Sequence, residues 1–379
     1  RRQGLDVGYD RVGNVTVTAQ GQFETDPEIL IGSHIDSVPR GGNYDGLAGV
    51  IAGIGTLVAL EACGLGTQRG VRVIGFRGEE SPWFGTAYLG SKLFTGQLTL
   101  AEAEAMHRFD TGRTLAQHLT EIGVERSQID GRPAVSLDRV RAYLELHIEQ
   151  GPELVDLGRP IAIATAIRGN IRYPFAKCIG RYAHSAAVPR RLRADAMMAT
   201  AKLIAFADEQ WRREIEAGHE DLVFTCGICQ TNSAEHSMTK VPGETNFTLN
   251  IGSISDAVMD RVHQSLLDKA QALAEEHHVR FELGERVGTG AVALDPEVIG
   301  EIAGSCQSIE TDPHTMATVG HDAAIFARMG IPAGIILIRN DKGSHNREEQ
   351  MDMDDFSVGL KVLASSVNGI VTRAEKTGG

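Results

Sequence analysis

The chain contains 379 residues, of which 42% are hydrophobic and 23% charged, a composition typical of soluble globular proteins. Its length favours two domains over a single core. A formal net charge of −13 argues against nucleic acid as a partner, because phosphate binding requires a basic surface. No apolar run approaches the roughly 20 residues of a membrane span, and no secretory signal pattern opens the chain, so we expect a cytoplasmic protein with no membrane partner.

The first predicted element is an edge hairpin within residues 1–28. Val15–Thr18 alternates in polarity, as a half-buried strand does, and the pair Gly13-Asn14 suits a turn. The chain opens abruptly, without a helix before this hairpin, which raises the expectation of a segment upstream of Arg1.

A buried strand is predicted next, because residues 29–31 are bulky and apolar. The strand ends in His34, and Asp36 follows two residues later. After a glycine-containing loop, Asp45 opens an apolar helix at about 46–63. Imidazole and carboxylate groups suit zinc, manganese and similar divalent ions, so this stretch predicts a metal site. The alternative interpretation is a polar loop with a helix-capping aspartate.

The same pattern recurs at a second strand, Val71–Phe76, which leads into the adjacent carboxylates Glu79 and Glu80. Paired carboxylates are costly to bury without a cation or a shared proton, which favours a functional role. A solvated acidic turn is the alternative. Residues 100–140 then predict two helices and a turn, without visible chemistry.

Two further strands repeat the arrangement. Residues 143–146 form a predicted strand that ends at His147, and residues 335–338 form another that is followed by His345. Ligands of open, mostly parallel α/β sheets bind at the carboxyl ends of the strands, so the side chains after all four strands have a reason to meet. The helix after Asp45 and a terminal helix at about 353–375 supply connections between the strands.

The middle of the chain, residues 168–287, predicts a separate α/β sandwich with helices on one face of its sheet. No cluster of metal-ligand residues is visible in this part of the sequence. We therefore predict an α/β fold in which a mostly parallel-sheet domain, residues 1–167 and 288–379, is interrupted by this insertion. The predicted elements of the insertion are strands at 173–179, 222–229, 246–251 and 279–283 and helices at 194–216 and 256–277.

Five cysteines are few, odd in number and scattered, as expected in a reduced cytoplasm. Cys226 and Cys229 have the C-x-x-C spacing, but they lie in a predicted strand and no second pair accompanies them. We therefore expect two buried strand cysteines rather than a zinc knuckle or a redox site.

Two helices are predicted in the returning part of the main domain. One starts at Asp295 or Pro296, where proline suits the first helical position. The other is a short helix opened by His321 and Asp322. An aspartate at this place has an ordinary reason to be there, because it can cap the helix.

Several blocks of the sequence resemble a known family. They are, in order, GSHIDSVPRGGNYDG, RGEES, ELHIEQGP, HSAAVPRRLRADA, GHDA and GSHN. These blocks are similar to those of the zinc-dependent aminoacylase and carboxypeptidase metallohydrolase family. Within it, the chain most resembles the branch of N-carbamoyl-L-amino-acid hydrolases, allantoate amidohydrolases and β-ureidopropionases. The blocks cover nearly the whole chain, and the combination of HIEQG, GSHID and the late GSHN is specific to that branch.

The resemblance implies a catalytic domain with a dinuclear metal centre. Asp45 would bridge two divalent ions. His34 and His147 would complete the coordination of the first ion, and Glu80 and His345 that of the second. Zinc, manganese, cobalt and nickel all tolerate this ligand set, so the choice of metal stays open.

The resemblance also implies roles for two neighbouring carboxylates. Asp36 would orient His34 through the other ring nitrogen. Glu79 would be the general base, taking a proton from a water activated by two metals and delivering it to the departing nitrogen. Glu79 and Glu80 would thus serve different purposes, one for the proton and one for the metal.

In this family the inserted domain is a lid and dimerisation domain. A lid histidine, here His184, would reach the carbonyl oxygen of the substrate from a partner subunit and stabilise the developing negative charge. The active enzyme would then be a homodimer, most simply a two-fold one. A structural histidine near a strand end is the alternative. The expected substrate contacts are Gln150, His184, His321, Arg190 and Thr239.

The sequence departs from the family pattern where amino-acid-specific members bind the α-carboxylate of the substrate. Those members use a lid asparagine and an arginine, and this chain has Thr239 and Gly252 at the two positions. No small residue replaces the bidentate grip of a guanidinium on a carboxylate. Either the substrate lacks the carboxylate, or another cation binds it, or Gly252 makes room for a bulkier group. The candidate cations are Arg190, Arg168, Lys240 and Arg339.

The leading hypothesis is a metal-dependent amidohydrolase that cleaves a C–N bond in a carbamoyl, ureido or acyl-amide substrate. The alternatives are a metallopeptidase or aminoacylase of the same family, and a non-catalytic binding protein on that scaffold. His147 favours the amidohydrolase branch, because peptidase members usually have a carboxylate at this position. The presence of all five expected ligands and of Glu79 weighs against a binding protein.

Overall fold

The computed structural model describes residues 4–64 and 70–377. Within these residues, no helix combines the length and the apolar character that crossing a bilayer requires. The first elements in the chain are β1 Leu5–Tyr9, β2 Val15–Ala19, β3 Ile29–His34, α1 Leu47–Ala62, β4 Val71–Phe76, α2 Leu89–Phe94, α3 Leu100–Ala105, α4 Leu115–Glu121, β5 Ala142–Ile148, α5 Glu153–Leu157 and β6 Ile161–Ile167. The middle elements are β7 Gly169–Ile179, β8 Ala183–His184, α6 Ala196–Glu216, β9 Val223–Thr225, β10 Cys229–Thr231, β11 Lys240–Val241, β12 Glu244–Ser253, α7 Asp256–His277, β13 Arg280–Glu282 and β14 Val287–Thr289. The last elements are β15 Val292–Ala293, α8 Pro296–Ser308, β16 His314–Thr318, α9 Ala323–Arg328, β17 Ala333–Ile338, β18 Asn340–Asp341, β19 Gln350–Met351 and α10 Met353–Thr377.

The chain divides into two compact units. The first unit comprises Arg1–Ile167 and Ala293–Gly379, and the second unit comprises Arg168–Val292. The second unit ends at Val292 rather than at residue 287, because β14 pairs with β7 and so belongs to the sheet of the second unit.

The first unit is built on a nine-stranded sheet. Its strand order is β1-β2-β4-β3-β5-β17-β6-β15, and β16 pairs with β6. The central neighbours β4, β3, β5 and β17 are parallel, whereas the hairpin of β1 and β2 forms an antiparallel edge as predicted. The predicted α/β fold with a mostly parallel sheet is confirmed.

The four parallel strands are buried along their whole length. Such burial is expected where a parallel sheet is covered on both faces, and it explains the near-continuous apolar character of these strands. Because the strands are parallel neighbours, their carboxyl ends lie along one edge of the sheet. His34, the Glu79-Glu80 pair, His147 and the loop that carries His345 therefore follow strands that end side by side.

Helix α1 packs close to this sheet because small residues form its contacting face. Gly49 faces the backbone of β5, and a Cβ atom at this position would lie 2.0 Å from the carbonyl oxygen of Leu146. At Gly53 a Cβ atom would lie 2.8 Å from a methyl group of Val73. The close approach places the start of α1, and with it Asp45, near the carboxyl end of β5.

The second unit is a six-stranded antiparallel sheet on which helices α6 and α7 pack. Its strand order is β10-β12-β7-β13, with β9 also paired to β12 and β14 to β7. Apolar side chains of the two helices and of alternate positions in β7 and β12 form a separate core. The helices begin after Asp195 and Ser255, whose side chains accept hydrogen bonds from backbone N–H groups in the first turn.

The prediction that Cys226 and Cys229 are buried within one strand is wrong. The strand expected at 222–229 is interrupted, because β9 and β10 are separate segments that pair with β12 on either side of Thr248. Cys226 is half-buried and Cys229 is exposed, and both are free thiols. Among the residues that the structure describes, β10 is the last strand of its sheet, and one of its sides has no neighbouring strand to cover it.

The two helices predicted after the insertion are present, but only one has the expected cap. Helix α8 begins at Pro296, and the side chain of Asp295 accepts hydrogen bonds from the backbone of its first turn. Asp322 precedes α9 without making a capping hydrogen bond, so the capping role predicted for it is wrong. Its carboxylate instead accepts a hydrogen bond from the hydroxyl of Ser91 at 2.5 Å.

Candidate metal centre

The end of β3 places His34 at the carboxyl edge of the sheet. Its Nδ1 donates a hydrogen bond to the backbone carbonyl oxygen of Asp36 at 2.9 Å. Asp36 therefore orients His34 through its main chain rather than through its carboxylate. That carboxylate accepts hydrogen bonds from the backbone N–H groups of Gly78, Glu79 and Glu80 at 2.8, 3.1 and 3.2 Å, and so fixes the loop that carries the two glutamates.

The end of β5 places a second imidazole, that of His147, beside the first. Its Nδ1 donates to the carbonyl oxygen of Ile148 at 2.9 Å, and its Nε2 accepts from the backbone N–H of Gly46 at 3.2 Å. Carbonyl oxygens only accept hydrogen bonds, so Nδ1 carries the proton in both rings. The two Nε2 atoms, which carry the lone pairs of the neutral rings, lie 3.4 Å apart.

Asp45, at the start of α1, faces both imidazoles. Its Oδ1 lies 3.1 Å from Nε2 of His147 and 3.5 Å from Nε2 of His34. This oxygen is buried and accepts no hydrogen bond from the residues that the structure describes. Three atoms with lone pairs thus face one another, which is unfavourable unless a proton or a metal ion lies among them.

A second group of ligand atoms shares Asp45. Its Oδ2 lies 3.1 Å from Nε2 of His345, and the same nitrogen lies 3.2 Å from Oε1 of Glu80. Within this group, as within the group of Asp45, His34 and His147, the potential ligand atoms all lie within 4.8 Å of one another. Asp45 therefore presents one oxygen to each group.

The pKa values show that both groups attract positive charge. Burial alone would raise the pKa of Asp45, but contacts with the three imidazoles hold it far below its ordinary value. Burial alone would lower the pKa of His34, yet the facing carboxylates of Asp45 and Glu79 raise it well above its ordinary value. Contacts with the carboxylates of Asp45 and Glu80 raise the pKa of His345 to about 10. Divalent ions would compete with protons for the same atoms, so a metal centre fits the five residues that carry them, which are His34, Asp45, Glu80, His147 and His345.

Glu79 lies against both groups. One of its carboxylate oxygens is within 4.8 Å of ligand atoms of His34 and Glu80. Burial raises the pKa of Glu79 well above its ordinary value, the positive charge of His34 opposes that shift, and the carboxylate of Asp322 adds to it. A carboxyl group beside these ligand atoms is placed to exchange a proton with a molecule bound at the cluster.

Two predicted substrate contacts lie beside the cluster. The amide nitrogen of Gln150 donates to Oδ2 of Asp45 at 3.1 Å. The ring of His321 is buried, with its centroid 4.3 Å from that of His147 and its Nε2 2.8 Å from the hydroxyl of Thr318. Burial lowers the pKa of His321 well below its ordinary value, so this ring is neutral at pH 7.

The other three predicted substrate contacts belong to the second unit. His184 ends β8 and is exposed. The backbone N–H of Ser185 donates to the carbonyl oxygen of Thr239 at 2.9 Å, so His184 and Thr239 are close neighbours. Arg190 begins an exposed 3₁₀ turn that ends at Leu192.

The expectation that Gly252 makes room for a bulkier group is wrong. A Cβ atom at this position would lie 2.9 Å from a methyl group of Val223 and 3.2 Å from the carbonyl oxygen of Gly169. The neighbouring strand β9 therefore already fills the space that a glycine would leave.

Three of the four candidate cations for a substrate carboxylate already have partners. Arg339 makes two hydrogen bonds to the carboxylate of Asp355, at 2.7 and 3.1 Å. Lys240 pairs with Glu235 at 2.8 Å. Nε of Arg168 donates to a backbone carbonyl oxygen at 2.8 Å. Arg190 has no ion pair with any residue in the described ranges.

Sequence reasoning missed three polar residues around the cluster. Ser344 donates to Oδ2 of Asp45, the carboxylate of Glu349 accepts from the backbone of the turn before α1, and buried Glu145 accepts from a backbone N–H of α9. Strand alternation could have identified Glu145, because it lies two residues before His147 and so on the same face. The positions of Ser344 and Glu349 depend on the folding of a loop and leave no periodic signal.

Comparisons with known proteins show which family the chain belongs to. A sequence model of the Peptidase family M20/M25/M40 matches residues 30–369. The N-carbamoyl-L-amino acid amidohydrolase of Geobacillus stearothermophilus is 31% identical over 370 residues, covering 97% of this chain and 87% of that protein. The ureidoglycolate hydrolase of Arabidopsis thaliana is 32% identical over 370 residues, covering 95% of this chain and 76% of that protein.

A solved structure is similar over the same length. The crystal structure of an amidase of the hydantoinase/carbamoylase family from Burkholderia multivorans matches with a TM-score of 0.84 and 25% identity, covering 97% of this chain and 87% of that one. The fold, the ligand cluster and these similarities define a hydrolase that acts on carbon–nitrogen bonds other than peptide bonds. The chain belongs to the Peptidase family M20/M25/M40, which confirms the resemblance found in its sequence.

Proposed function

We propose that this protein is a dinuclear metal amidohydrolase that cleaves a linear C–N bond in an N-carbamoyl amino acid or an allantoate-like ureide. The observation that supports this proposal is the position of Asp45, whose two carboxylate oxygens face two separate groups of ligand atoms. His34 and His147 would complete one ion, and Glu80 and His345 the other. The names of the relatives supply the substrate class.

The proposed chemistry is hydrolysis by an activated water. Divalent ions at this site would polarise the scissile carbonyl and lower the pKa of water. Glu79 would accept the proton of the attacking water and return it to the departing nitrogen. Its raised pKa fits this double task, because the same group must first take and then release a proton.

Two positions of the second unit bear on the identity of the substrate, because the sequence departs from the family pattern there. Thr239 and Gly252 stand where amino-acid-specific relatives have the pair that grips an α-carboxylate. The space beside Gly252 is filled by Val223 rather than open. The glycine therefore does not make room for a bulkier substrate group. Among these substrates we therefore favour either a ureide without that carboxylate or an N-carbamoyl amino acid whose carboxylate is bound by Arg190.

We further propose that the active form is a homodimer. On the family resemblance, His184 of one subunit would stabilise the developing oxyanion in the active site of the other. Its exposure on the short strand β8, and its proximity to Thr239, are compatible with a surface that contacts substrate.

A Glu79→Gln variant tests the proposed mechanism. Amides and ureides with and without an α-carboxylate, including dipeptides and N-acyl amino acids, are assayed with added Mn²⁺ or Zn²⁺. Glu79→Gln should lower the turnover of the best substrate by about 10²- to 10⁴-fold while the bound metal content is unchanged, because the amide cannot act as a general base. Glu285→Gln, a change at an exposed carboxylate of the second unit, is the matched control and should keep full activity.

Three results would contradict the proposal. Unchanged turnover in Glu79→Gln would exclude this residue as the base. Faster cleavage of dipeptides than of ureides would favour the peptidase alternative. Strong preference for simple N-carbamoyl-L-amino acids, persisting in an Arg190→Ala variant, would refute the inference drawn from Thr239 and Gly252.

A further inference from the structure

Glu349 is a buried carboxylate that touches the candidate metal centre without contributing a ligand to it. It ends the loop between β18 and β19, residues 342–349, which we call the His345 loop. Its Oε1 accepts hydrogen bonds from the backbone N–H groups of Tyr44 and Asp45, at 2.9 and 3.2 Å. These N–H groups belong to the residues before α1, so Glu349 connects the His345 loop to the Asp45 turn, residues 42–46.

The fit between Glu349 and this turn is close. A Cβ atom at Gly42 would lie 2.0 Å from Oε1 of Glu349, so the turn approaches the carboxylate where only a glycine leaves space for it. Only 4% of the surface of Glu349 is exposed, and no Lys, Arg or His among the described residues forms an ion pair with it. Its partners among the described residues are therefore hydrogen-bond donors rather than cations.

Ser344 completes the connection. Its hydroxyl oxygen lies 2.7 Å from Oε2 of Glu349 and 3.0 Å from Oδ2 of Asp45. A hydroxyl has one proton, so it donates to only one of these two carboxylates at a time. When a cation occupies the lone pairs of Asp45 Oδ2, Glu349 remains as the acceptor for the Ser344 proton.

His345 needs such support. It lies half-exposed in a hairpin loop with a left-handed backbone conformation, φ 59°, that non-glycine residues adopt at a cost. Its position relative to Asp45 and Glu80 is set by the loop around it. The direct connections of that loop to the Asp45 turn include the hydrogen bonds of Glu349 and Ser344.

We propose that Glu349 is a positioning residue that holds the His345 loop on the Asp45 turn, with Ser344 as the link, and thereby preorganises Asp45, Glu80 and His345 for one of two divalent ions. The inference rests on the proposed dinuclear function. It assigns Glu349 a selective effect, on the ion that His345 binds and not on the ion that His34 and His147 bind. Residues that orient metal ligands typically change metal affinity by about 10- to 100-fold when they are replaced.

The test is a Zn²⁺ titration of metal-free protein in competition with a chromophoric chelator. Wild type should show two binding steps, and a His345→Ala variant should lose one of them. Glu349→Gln keeps the shape and the acceptor for the two N–H groups but presents an amide to Ser344. It should weaken the same step that His345→Ala removes, by about 10- to 100-fold, and leave the other unchanged. Glu348→Gln, at the exposed neighbouring carboxylate, is the matched control and should behave as wild type.

A second variant separates positioning from folding. Ser344→Ala removes the link to Asp45 but leaves the bonds of Glu349 to the backbone, and it should weaken the same step by about 10-fold. The unfolding temperature of each metal-free variant is measured in parallel. If metal-free Glu349→Gln is unfolded, the metal titration of Ser344→Ala decides whether the proposed positioning role is correct.

The outcomes distinguish this inference from the function on which it rests. Fewer than two binding steps in wild type would refute the dinuclear function itself. Two steps in wild type that are unchanged in Glu349→Gln and Ser344→Ala would overturn the positioning role. Equal weakening of both steps would also overturn it, because it would show a general effect on the scaffold.

Discussion

Asp322 shows how the surroundings of a single residue can matter more than its place in a motif. Its position before α9 suggests a helix cap, but its side chain is fully buried and accepts a hydrogen bond from Ser91 instead. Its second carboxylate oxygen has no hydrogen-bond partner among the described residues. Burial, together with the nearby carboxylate of Glu145, raises the pKa of Asp322 to about 8. In the metal-free protein this group therefore carries a proton at neutral pH.

An Asp322→Asn variant should make the metal-free protein more stable at pH 8 than wild type. An unfolded aspartate has a pKa of about 3.9, so the folded wild type binds more protons between pH 4 and pH 8 and loses stability as the pH rises through this window. Asparagine stays neutral and does not titrate. The difference in the free energy of unfolding should grow from near zero at pH 4 to about 5 kcal/mol at pH 8, since the proton affinities of the folded and unfolded states differ by about four tenfold steps, each worth about 1.4 kcal/mol.

Urea unfolding at intervals between pH 5 and pH 8, in the presence of a chelator, measures this difference. Asp138→Asn, at an exposed aspartate, is the control and should follow wild type at every pH. Parallel curves for Asp322→Asn and wild type would show that Asp322 is ionised in the folded protein.

Most of the candidate ligands could be predicted from the sequence because they lie at the end of a buried apolar strand or in the loop after it, and Asp45 could be predicted because it precedes the apolar helix α1. His34 and His147 are the last or next-to-last residues of β3 and β5. Glu349 could not be found in this way, because its partner Tyr44 is 305 positions away in the chain. Ser91 and Asp322 are likewise 231 positions apart. Such contacts exist only after the chain has folded, and no local pattern encodes them.

At the scale of elements, the packing of α1 determines where Asp45 lies. Gly49 allows the helix to rest on the backbone of β5, at the residue just before His147. A larger side chain here must push the helix away from the strand, since the nearest atom is a backbone oxygen that cannot rotate aside. The helix thus links the position of one candidate ligand, Asp45, to that of another, His147.

A Gly49→Ala variant should be destabilised by about 3 kcal/mol, at the upper end of the cost of overpacking. The comparison is Gly304→Ala in α8, where a Cβ atom would meet no described atom within 4 Å. That change should raise the free energy of unfolding by up to about 1 kcal/mol, because glycine in a helix is less favourable than alanine. The measurement is urea unfolding in a Trp211→Phe background, where Trp83 of the first unit is the remaining tryptophan. Equal effects of the two substitutions would show that α1 does not contact β5 at Gly49.

The elements that could be predicted are those whose burial is set by their own sequence. The four central strands and the long helices α1, α6, α7 and α10 have apolar patterns that their surroundings do not override. β16, with the sequence HTMAT, carries no such pattern and becomes a strand by pairing with β6. In the described part of the chain, the edge segments β9 and β10 pair with β12 on one side alone, which leaves the chain free to bulge near Cys226 and separates the two segments.

At the scale of the whole molecule, the insertion enters and leaves at neighbouring strands. The chain leaves the first unit after β6 and returns to it at β15, which is the neighbour of β6 in the sheet. The backbone N–H of Leu294 donates to the carbonyl oxygen of Thr165 at 3.2 Å. Because the two ends lie side by side, a separately folded unit can be inserted there without disturbing the sheet that carries the candidate ligands.

The separation of the two units makes the proposed role of the second subunit testable by mixing. Glu79 belongs to the first unit and His184 to the second, so single variants at these positions damage different parts of the chain. Glu79→Gln and His184→Ala should each be nearly inactive alone. In a mixed dimer, the Glu79 of one chain meets the His184 of the other at one of the two sites. A mixture of equal amounts of the two variants, after subunit exchange, should therefore recover roughly a quarter of wild-type activity. Half of the dimers are then mixed, and each mixed dimer has one complete site out of two.

The control is a mixture of wild type with the double variant, in which no mixed dimer has a complete site. Activity there should fall below that of the wild-type chains alone, since exchange removes complete sites instead of creating them. Native mass spectrometry confirms that mixed dimers have formed. An absence of recovery in the first mixture, with mixed dimers present, would show that His184 does not act across subunits. A fully active His184→Ala variant would exclude this histidine from the reaction, and a monomeric wild type would exclude the dimer.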